Sequence, residues 1–204
     1  MSPRSTGARG SYAKSAQRRS EIVAAAREVF AENGYRNGSI QSVADRAGLS
    51  QSAVLHHFDG KEGLLLAVLA DRDARGDDLT GNLDLAEGML AQARHNESTP
   101  GIIELYTTLC AEAASVTHPA HAYFAERFAR LRVGFAAELS DLAHRGQLRP
   151  GVDPAQAAAG LVALWDGIQL QWLLAPDEID VAEGLRHYLS LVLVDGVLGS
   201  PSDT

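Results

Sequence analysis

Residues 39–58 have the sequence SIQSVADRAGLSQSAVLHHF, which contains two short helical patterns separated by Gly48. Ser39 precedes the first pattern as a capping residue, because its side-chain oxygen can accept a hydrogen bond from a free backbone N–H. Gly48 suits the end of that helix, since glycine adopts the left-handed conformation at low cost. Ser50 takes the capping position before the second pattern. The stretch therefore predicts a helix-turn-helix.

Each predicted helix has an inner apolar face and an outer polar face. The inner positions recur at helical spacing and are Ile40, Val43, Ala44, Ala47, Ala53, Val54 and Phe58, with Leu49 at the corner. The second helix leaves these residues facing outward or sideways: Gln51, Ser52, Leu55, His56 and His57. Glutamine can bond adenine edges in a major groove, where the second helix of such a motif lies. A solvated helix face has the same composition, so both interpretations are open at this point.

The charge of the chain is divided unevenly along its length. The 204 residues carry 18 Lys and Arg, 26 Asp and Glu, and a net charge of -8. Nine basic and six acidic residues lie within positions 1–62, which leaves nine basic and twenty acidic residues beyond them. A net charge of +3 before that point and -11 after it indicates phosphate binding by the N-terminal part.

Composition bounds the class of protein. The length allows one or two domains with a sizeable core. The single cysteine, Cys110, excludes an internal disulfide and fits a reducing compartment. No apolar run is expected to be long enough to span a bilayer, and the basic N-terminus leads into no signal-peptide core. We therefore expect a cytoplasmic protein without a membrane partner.

The segments on either side of residues 39–58 complete a small N-terminal domain. Residues 1–17 are rich in Ser, Gly and Arg, which predicts a mobile basic arm that lies along DNA or is simply solvated. An amphipathic helix over residues 20–33 ends at Gly34 and supplies a third wall of the core. Lys61 opens the next helix, where its charge can meet a phosphate. A solvated surface lysine is the alternative for that position.

The motifs of this region are characteristic of a known family. They are AAREVFAENGY at 25–35, the Ser39 cap, VADRAGLS at 43–50, HHF at 56–58 and KEGLL at 61–65. Together they make residues 19–69 resemble the DNA-binding domain of the TetR family of transcriptional regulators. The resemblance implies an all-helical homodimer in which three N-terminal helices bind operator DNA and a larger C-terminal domain binds an effector.

The resemblance also implies which residues meet DNA. The matching positions are Ser39, Gln41, Gln51, Ser52, Leu55, His56, His57 and Lys61. Leu55 departs from the family pattern, which usually has tyrosine there, so a hydroxyl contact to phosphate is missing and contact with a thymine methyl becomes available. Ser52 likewise replaces a frequent glycine.

The rest of the chain has helical patterns punctuated by prolines. After a weaker helix from Leu83 to Ala93, we predict helices near 100–116, 119–144, 154–174 and 179–197, giving about nine in all. The helix over 154–174 is apolar nearly all round, so it has to be covered on several sides. We expect it to form a homodimer contact with the helix over 179–197.

A ligand site is the second functional prediction. Trp165, Gln169 and Trp172 share one helical face by their i, i+4 and i+7 spacing. Candidate neighbours are Tyr106, Cys110, Phe124 and Phe128. Aromatic walls with an isolated amide, hydroxyl or thiol are typical of a pocket for a largely apolar small molecule. Ordinary core or dimer packing is the competing interpretation.

Signals for metal binding or catalysis are weak. His118 and His121 flank Pro119 at a helix start, which favours a helix cap or a surface role over a metal site. The acidic residues within 71–78 lack the spacing of a cation-binding loop, and Cys110 has no basic neighbour in sequence. We find no phosphate-binding glycine loop and no nucleophile elbow. We predict no enzymatic activity, no metal and no cofactor.

These observations predict an all-α transcriptional regulator, a repressor released from a near-palindromic operator by a small, largely apolar ligand. The expected domains are a basic arm at 1–17, a helix-turn-helix domain at 18–62, and an effector-binding and dimerisation domain at 63–204. The protein would be cytoplasmic, and at the nucleoid when bound to DNA. The alternatives are a helical small-molecule-binding protein or enzyme without DNA binding, and a TetR-like activator.

Overall fold

The computed structural model describes residues 7–81 and 83–197, and side chains from Tyr12 onward. Within these ranges the chain forms nine α-helices: α1 Gly7–Asn37, α2 Ile40–Ala47, α3 Gln51–His57, α4 Gly60–Thr80, α5 Leu85–Glu97, α6 Pro100–Glu112, α7 His121–His144, α8 Pro154–Leu174 and α9 Val181–Val192. An isolated β-bridge joins Leu148 and Leu193, and the described residues contain no strand. The predicted all-α fold is confirmed.

The chain divides into two compact units, Met1–Asp73 and Ala74–Thr204. Helix α4 begins in the first unit and ends in the second. The domain boundary expected after residue 62 lies in the first turn of this same helix.

In the first unit, α1 to α3 and the start of α4 surround an apolar core. Its fully buried side chains include Ile22 and Phe30 of α1 with Val43, Val54 and Leu65. The α1 backbone breaks at the predicted residue, Gly34, where φ is 73° and ψ is 162°. A Cβ at buried Gly38 would lie 2.6 Å from the ring of Phe30, so only glycine lets the backbone pass there.

The start of α1 differs from the predicted arm. Residues 7–17 are helical, whereas residues 1–6 lie outside the described part of the chain. Alanine, lysine, glutamine and arginine in this stretch favour a helix. The prediction of a mobile arm gave more weight to its serine and glycine content. Pairs one turn apart add support: Gln17 Nε2 donates to Glu21 Oε1 at 3.2 Å, and Arg18 Nη1 lies 2.8 Å from Glu21 Oε2.

The second unit packs α5 to α9 around α8. Helix α8 contacts α6, α7 and α9, and its bounds match the prediction. Helix α9 ends earlier than expected, because the backbone beyond it pairs with an earlier loop: Arg149 N donates to Val192 O at 2.9 Å and Val194 N to Gln147 O at 3.0 Å. Helix α6 likewise ends at Glu112, where a series of turns begins.

Two glycines allow α8 and α9 to approach closely. A Cβ at Gly184 would overlap Cδ1 of Ile168, and a Cβ at Gly160 would overlap the hydroxyl of Tyr188. That hydroxyl donates to the carbonyl of Ala157 at 2.9 Å. A side chain at either glycine would therefore require Tyr188 or Ile168 to shift.

Among the described helices, α8 is long and apolar enough to cross a membrane by length and composition. The expectation that no apolar run reaches this length was therefore wrong. The physical reason for the composition lies in its packing, because α8 is a core helix with apolar neighbours on several sides.

Candidate DNA-binding surface and effector region

Local capping fixes the two helices of the helix-turn-helix. Ser39 Oγ accepts from the backbone N of Ser42 at 3.0 Å, and Ser50 Oγ accepts from that of Ala53 at 3.2 Å. Gly48 has φ 66° and ψ 36°, the left-handed conformation predicted for it. Both caps and the glycine stop are confirmed, so the ends of α2 and α3 are set by their own sequence.

The outer face of α3 is open to solvent. Gln51, Ser52 and His56 are exposed, and Leu55 retains 45% of its accessible surface. His57 is half-buried, and its ring centroid lies 5.5 Å from that of His56 in an edge-to-face arrangement. Val54 and Phe58 are buried on the opposite side. The predicted division of the helix into two faces is confirmed.

Two further predicted DNA-binding residues lie at the start of α2. Ser39 and Gln41 are both exposed. Gln41 Nε2 donates to Asp45 Oδ1 at 2.7 Å, and Ser39 Oγ lies 2.7 Å from Ser42 Oγ. A contact between Gln41 and DNA would therefore exchange an existing exposed hydrogen bond for a new one.

Lys61 interacts with the end of α1. Its Nζ donates to the carbonyl of Arg36 at 3.0 Å and lies 4.6 Å from the ring centroid of Tyr35. Burial lowers the pKa of Lys61 from its ordinary value. The ammonium has three N–H donors, so a phosphate contact is compatible with its bond to Arg36. Its observed contacts connect α4 to α1.

Ion pairs that the sequence did not indicate connect the helices of the first unit. In α2, Nη1 of Arg46 lies 3.0 Å from Oε2 of Glu28, and its Nη2 lies 2.6 Å from Oε2 of Glu32. The hydrogen bond from Arg46 holds the pKa of Glu32 below its ordinary value. Arg27 lies 3.4 Å from Asp71, which connects α1 to α4. These partners are distant in sequence, and no local spacing signals them.

In the second unit, one part of the predicted ligand set forms an aromatic group with an arginine. Tyr106 and Phe124 are buried, and their ring centroids lie 5.2 Å apart. The ring centroid of Phe128 lies 6.3 Å from that of Phe124. Arg127 Nη1 donates to the hydroxyl of Tyr106 at 2.8 Å, and its guanidinium lies 5.1 Å from that ring centroid. The structure thus brings together α6 and α7 residues that the sequence only proposed as neighbours.

Cys110 of α6 is half-buried. Burial raises the pKa of its thiol to about 11, the negative charge of Asp166 adds to this effect, and the positive charge of Arg127 opposes it. The thiol is therefore protonated at neutral pH, which makes it a weak nucleophile.

The other part of the ligand set lies on α8 and includes a buried hydrogen-bonded amide chain. Gln92 Nε2 donates to Asn96 Oδ1 at 2.8 Å, and Asn96 Nδ2 donates to Gln169 Oε1 at 2.8 Å. Gln169 Nε2 in turn donates to the carbonyl of Trp165 at 3.3 Å. Asn96 and Gln169 are 4% and 2% exposed. Gln169 was predicted from the sequence as part of the site, whereas Gln92 and Asn96 were not.

The two tryptophans contribute to the core on this side of α8. Trp172 is 9% exposed and belongs to the main apolar cluster of the second unit, and half-buried Trp165 packs against that cluster. The predicted set therefore divides into an aromatic group on α6 and α7 and an amide and indole group on α8. Asp166, whose charge reaches Cys110, follows Trp165 directly in sequence.

The two central histidines support the chain locally. His118 Nδ1 accepts from the backbone N of Ala120 at 3.2 Å, just before α7. His121 Nδ1 lies 2.8 Å from the carbonyl of Ala113. Helix α7 has Ala120 as its N-cap residue and no side-chain cap bond, so the two histidines stabilise the turns before α7 rather than cap the helix.

An exposed, capped helix-turn-helix ahead of a larger helical unit defines the class of helix-turn-helix transcriptional regulators. Two family models match the chain: bacterial regulatory proteins of the tetR family at residues 22–68, and the C-terminal domain of BetI-type transcriptional repressors at residues 85–193. The chain belongs to the TetR family of transcriptional regulators, whose members are DNA-binding proteins and not enzymes, and in which ligand-responsive repression is typical.

Individual relatives agree with this assignment. The regulator BetI 2 of Chromohalobacter salexigens is 28% identical over 194 residues, which cover 89% of this chain and 88% of that protein. The repressor AcnR of Corynebacterium diphtheriae is 36% identical over 80 residues, or 39% of this chain and 42% of AcnR. SmeT, the repressor of the Stenotrophomonas maltophilia multidrug efflux pump SmeDEF, shares the fold with a TM-score of 0.72 and 23% identity, covering 89% of this chain and 94% of SmeT.

Proposed function

We propose that this protein is a homodimeric repressor that releases a near-palindromic operator when a small, largely apolar ligand binds its second unit. The observation that carries the proposal is the outer face of α3, where an amide, a hydroxyl and an imidazole are exposed on a helix with a capped N-terminus. Two such helices would enter successive major grooves about 34 Å apart. Repression of this kind takes place in the cytoplasm, where TetR-family regulators are found.

The proposed DNA contacts fall on the first unit. Gln51, Ser52, Leu55, His56 and His57 would meet base edges and nearby phosphates, with Ser39, Gln41 and Lys61 at the flanks. An amide suits adenine, and a hydroxyl suits several acceptors and donors. In this assignment the helix-turn-helix domain spans residues 18–62 and the effector-binding and dimerisation domain spans 63–204.

Dimerisation is proposed to use the solvent-facing side of α8. Ala163, Leu170 and Leu174 are exposed on it at helical spacing, and the two leucines keep 46% and 78% of their accessible surface. Leu191 of α9 is 58% exposed. Burying this apolar surface against a second copy gives a four-helix contact, which accounts for a helix with so little polar surface.

The proposed effector region combines the rings of Tyr106, Phe124 and Phe128 with Cys110 on one side, and Trp165, Gln169 and Trp172 on the other. Apolar surface with a few polar groups suits a neutral ligand, because burying an unpaired charge is costly. Helix α4 runs through both units, so a shift of its C-terminal turns is a direct route to the helix-turn-helix. A coupling of about 1–3 kcal/mol is enough to change operator occupancy.

The DNA-binding proposal is tested by fluorescence anisotropy with a duplex from the chain's own promoter region and a random duplex of equal length. We expect tighter, salt-sensitive binding to the promoter duplex, because base contacts add to phosphate contacts. Equal affinity for the two duplexes would refute an operator-specific regulator.

The dimer is tested by light scattering on a Leu170→Glu and Leu174→Glu double variant. We expect a folded monomer with much weaker promoter binding, since the charges would be buried in the interface. Val116→Glu is the matched control, because Val116 is 78% exposed outside this surface. A double variant that remains dimeric would place the interface elsewhere.

A further inference from the structure

One face of α5 contacts α4 at one end and α8 at the other. Its residues are Gly88, Gln92 and Asn96, which lie at i, i+4 and i+8 and therefore share a side of the helix. We name these three residues the α5 stripe. Asn96 contacts α8, because its Nδ2 donates to Oε1 of Gln169 at 2.8 Å. Gln92 Nε2 donates to Oδ1 of Asn96 at 2.8 Å, which connects the α8 end of the stripe to its centre.

The C-terminal turns of α4 fit against the α5 stripe through two glycines. A Cβ at Gly76 would lie 3.0 Å from Oε1 of Gln92, closer than such atoms normally approach. A Cβ at Gly88 would lie 3.4 Å from Cβ of Thr80. Each helix thus has a glycine opposite a side chain of the other, and both contacts lie within the second unit. The position of the Gln92 amide therefore limits how closely α4 can approach α5.

The hydrogen bonds of the amide chain all run in one direction. Gln92 donates to Asn96, Asn96 donates to Gln169, and Gln169 donates to the carbonyl of Trp165. Such bonds reinforce one another in a buried environment, where an unpaired amide is costly. A new partner for Gln169 therefore changes the bond that Asn96 can make, and with it the bond that holds Gln92.

We propose that the α5 stripe carries a change at Gln169 to α4, by moving Gln92 relative to Gly76. A ligand group that hydrogen-bonds to Gln169 competes with Asn96 for that amide. Gln92 and Asn96 are positioning residues, because each acts through a neighbour rather than on DNA or a ligand. The inference rests on the proposed function and names the side chains that connect its effector region to α4. Helix α4 continues to the first unit, where Lys61 lies in its first turn.

The first test is promoter binding by Gly76→Ala. The added methyl group would require Gln92 to shift away from α4, which strains its bond to Asn96. We expect the affinity for the promoter duplex, measured by fluorescence anisotropy, to fall by about fivefold or more, as is usual for coupled sites. Affinity for the random duplex should stay unchanged, because phosphate contacts carry no sequence information.

A double-mutant cycle tests whether this loss arises from the amide chain. Gln92→Ala removes both the atom that faces Gly76 and the donor to Asn96, so promoter affinity should fall by a similar factor. In the Gln92→Ala background, the methyl group of Gly76→Ala has no amide to displace and should cause no further loss. Independent losses from the two substitutions would overturn the proposal, and so would wild-type promoter affinity in both single variants.

Amide hydrogen exchange of α4 gives a second measurement that does not depend on DNA. Gln169→Ala changes α8 at the far end of the chain, away from the contact between Gln92 and Gly76. We expect faster exchange at residues 74–80, because releasing Asn96 loosens Gln92 against α4. A role confined to the packing of α5 on α8 predicts faster exchange in those two helices alone. Unchanged exchange at residues 74–80 would therefore overturn the proposal.

Gly134→Ala is the matched control. Gly134 lies inside α7, and a Cβ there would meet no atom within 4 Å. The substitution adds the same methyl group and the same gain in helix propensity. We expect unchanged promoter affinity and unchanged exchange in α4. A loss in this control equal to that of Gly76→Ala would contradict a specific contact with Gln92.

Two outcomes are kept apart by this design. Circular dichroism establishes that each variant is folded, and if Gln92→Ala is unfolded, Gly76→Ala and Gln169→Ala still decide the matter. Failure of the wild type to prefer the promoter duplex would refute the proposed function. The exchange measurement on Gln169→Ala would then still show whether a change on α8 reaches α4.

Discussion

The outer face of α3 and the inner face of α8 both carry amide side chains, but they differ in what those side chains touch. Gln51 of α3 is exposed, whereas Gln169 of α8 is 2% exposed and bonded to Asn96 at 2.8 Å. The first amide can bind a partner without breaking anything in the protein. The second can do so only by rearranging a buried chain of hydrogen bonds.

Under the proposed function, this difference would separate recognition of DNA from the response to a ligand. A rigid exposed face recognises DNA best when it is already in place, because little ordering is required on binding. A buried amide chain connects α5 to α8, so any ligand that alters one bond also changes the fit of the two helices. The first region therefore suits binding specificity, and the second suits a change of conformation.

The largest effect is expected from Asn96→Ala, which interrupts the amide chain at its centre. The substitution leaves Gln92 and Gln169 without their partner and opens a small cavity. We expect a loss of about 2–4 kcal/mol in the free energy of unfolding. Urea unfolding measures this loss of stability. In the Asn96→Ala background, Gln169→Ala should lower the free energy of unfolding by less than it does in the wild type, because the hydrogen bond between the two amides is already broken. Additive losses would show that the two amides act independently.

The next effect concerns the reactivity of Cys110. Because the pKa of this thiol is raised from 9.0 to about 11, its thiolate fraction at pH 8 should be about 100-fold lower than in the unfolded chain. Alkylation by iodoacetamide, with and without denaturant, measures the ratio. The unfolded chain ionises first as the pH rises, so this thiol lowers folding stability between pH 9 and 11. Equal alkylation rates would show that the α6 region opens freely.

A smaller effect is expected from Gln51→Ala, on the exposed outer face of α3. We expect a loss of about 1–3 kcal/mol in operator binding, from one lost bidentate base contact. The unfolding temperature should stay unchanged, because the side chain is exposed. Gln156→Ala, at an exposed position of α8, is the matched control and should leave affinity unaltered. A destabilised Gln51→Ala protein would contradict the separation of recognition from folding.

The smallest effect is expected from Leu55→Tyr. Leu55 is 45% exposed, so the larger ring can be accommodated without repacking the core. A phenol hydroxyl that reaches a phosphate should tighten binding by about 0.5–1.5 kcal/mol. Operator titrations of both proteins at one salt concentration measure this gain. A large loss of affinity would show that Leu55 itself contacts bases.

Local signals made the helix-turn-helix predictable. Ser39, Gly48 and Ser50 each act within three or four residues, so their roles follow from sequence order. The all-α fold, the bounds of α8 and the two faces of α3 followed for the same reason.

Long-range pairs were not predictable. Asn96 and Gln169 are 73 positions apart, and only the fold brings them together. The fold likewise brings Arg46 next to Glu28 and Glu32. The start of α1 was missed because glycine and serine content outweighed the helix-forming residues among residues 7–17.

Gly160 and Gly184 lie where α8 and α9 cross, and the same two helices are proposed to form the twofold dimer contact. In a twofold dimer built on these helices, each local change occurs twice, once in each copy. A single methyl group at Gly160 would displace Tyr188 in both subunits and break both of its bonds to Ala157. A local change at this crossing would therefore act at two places in such a dimer.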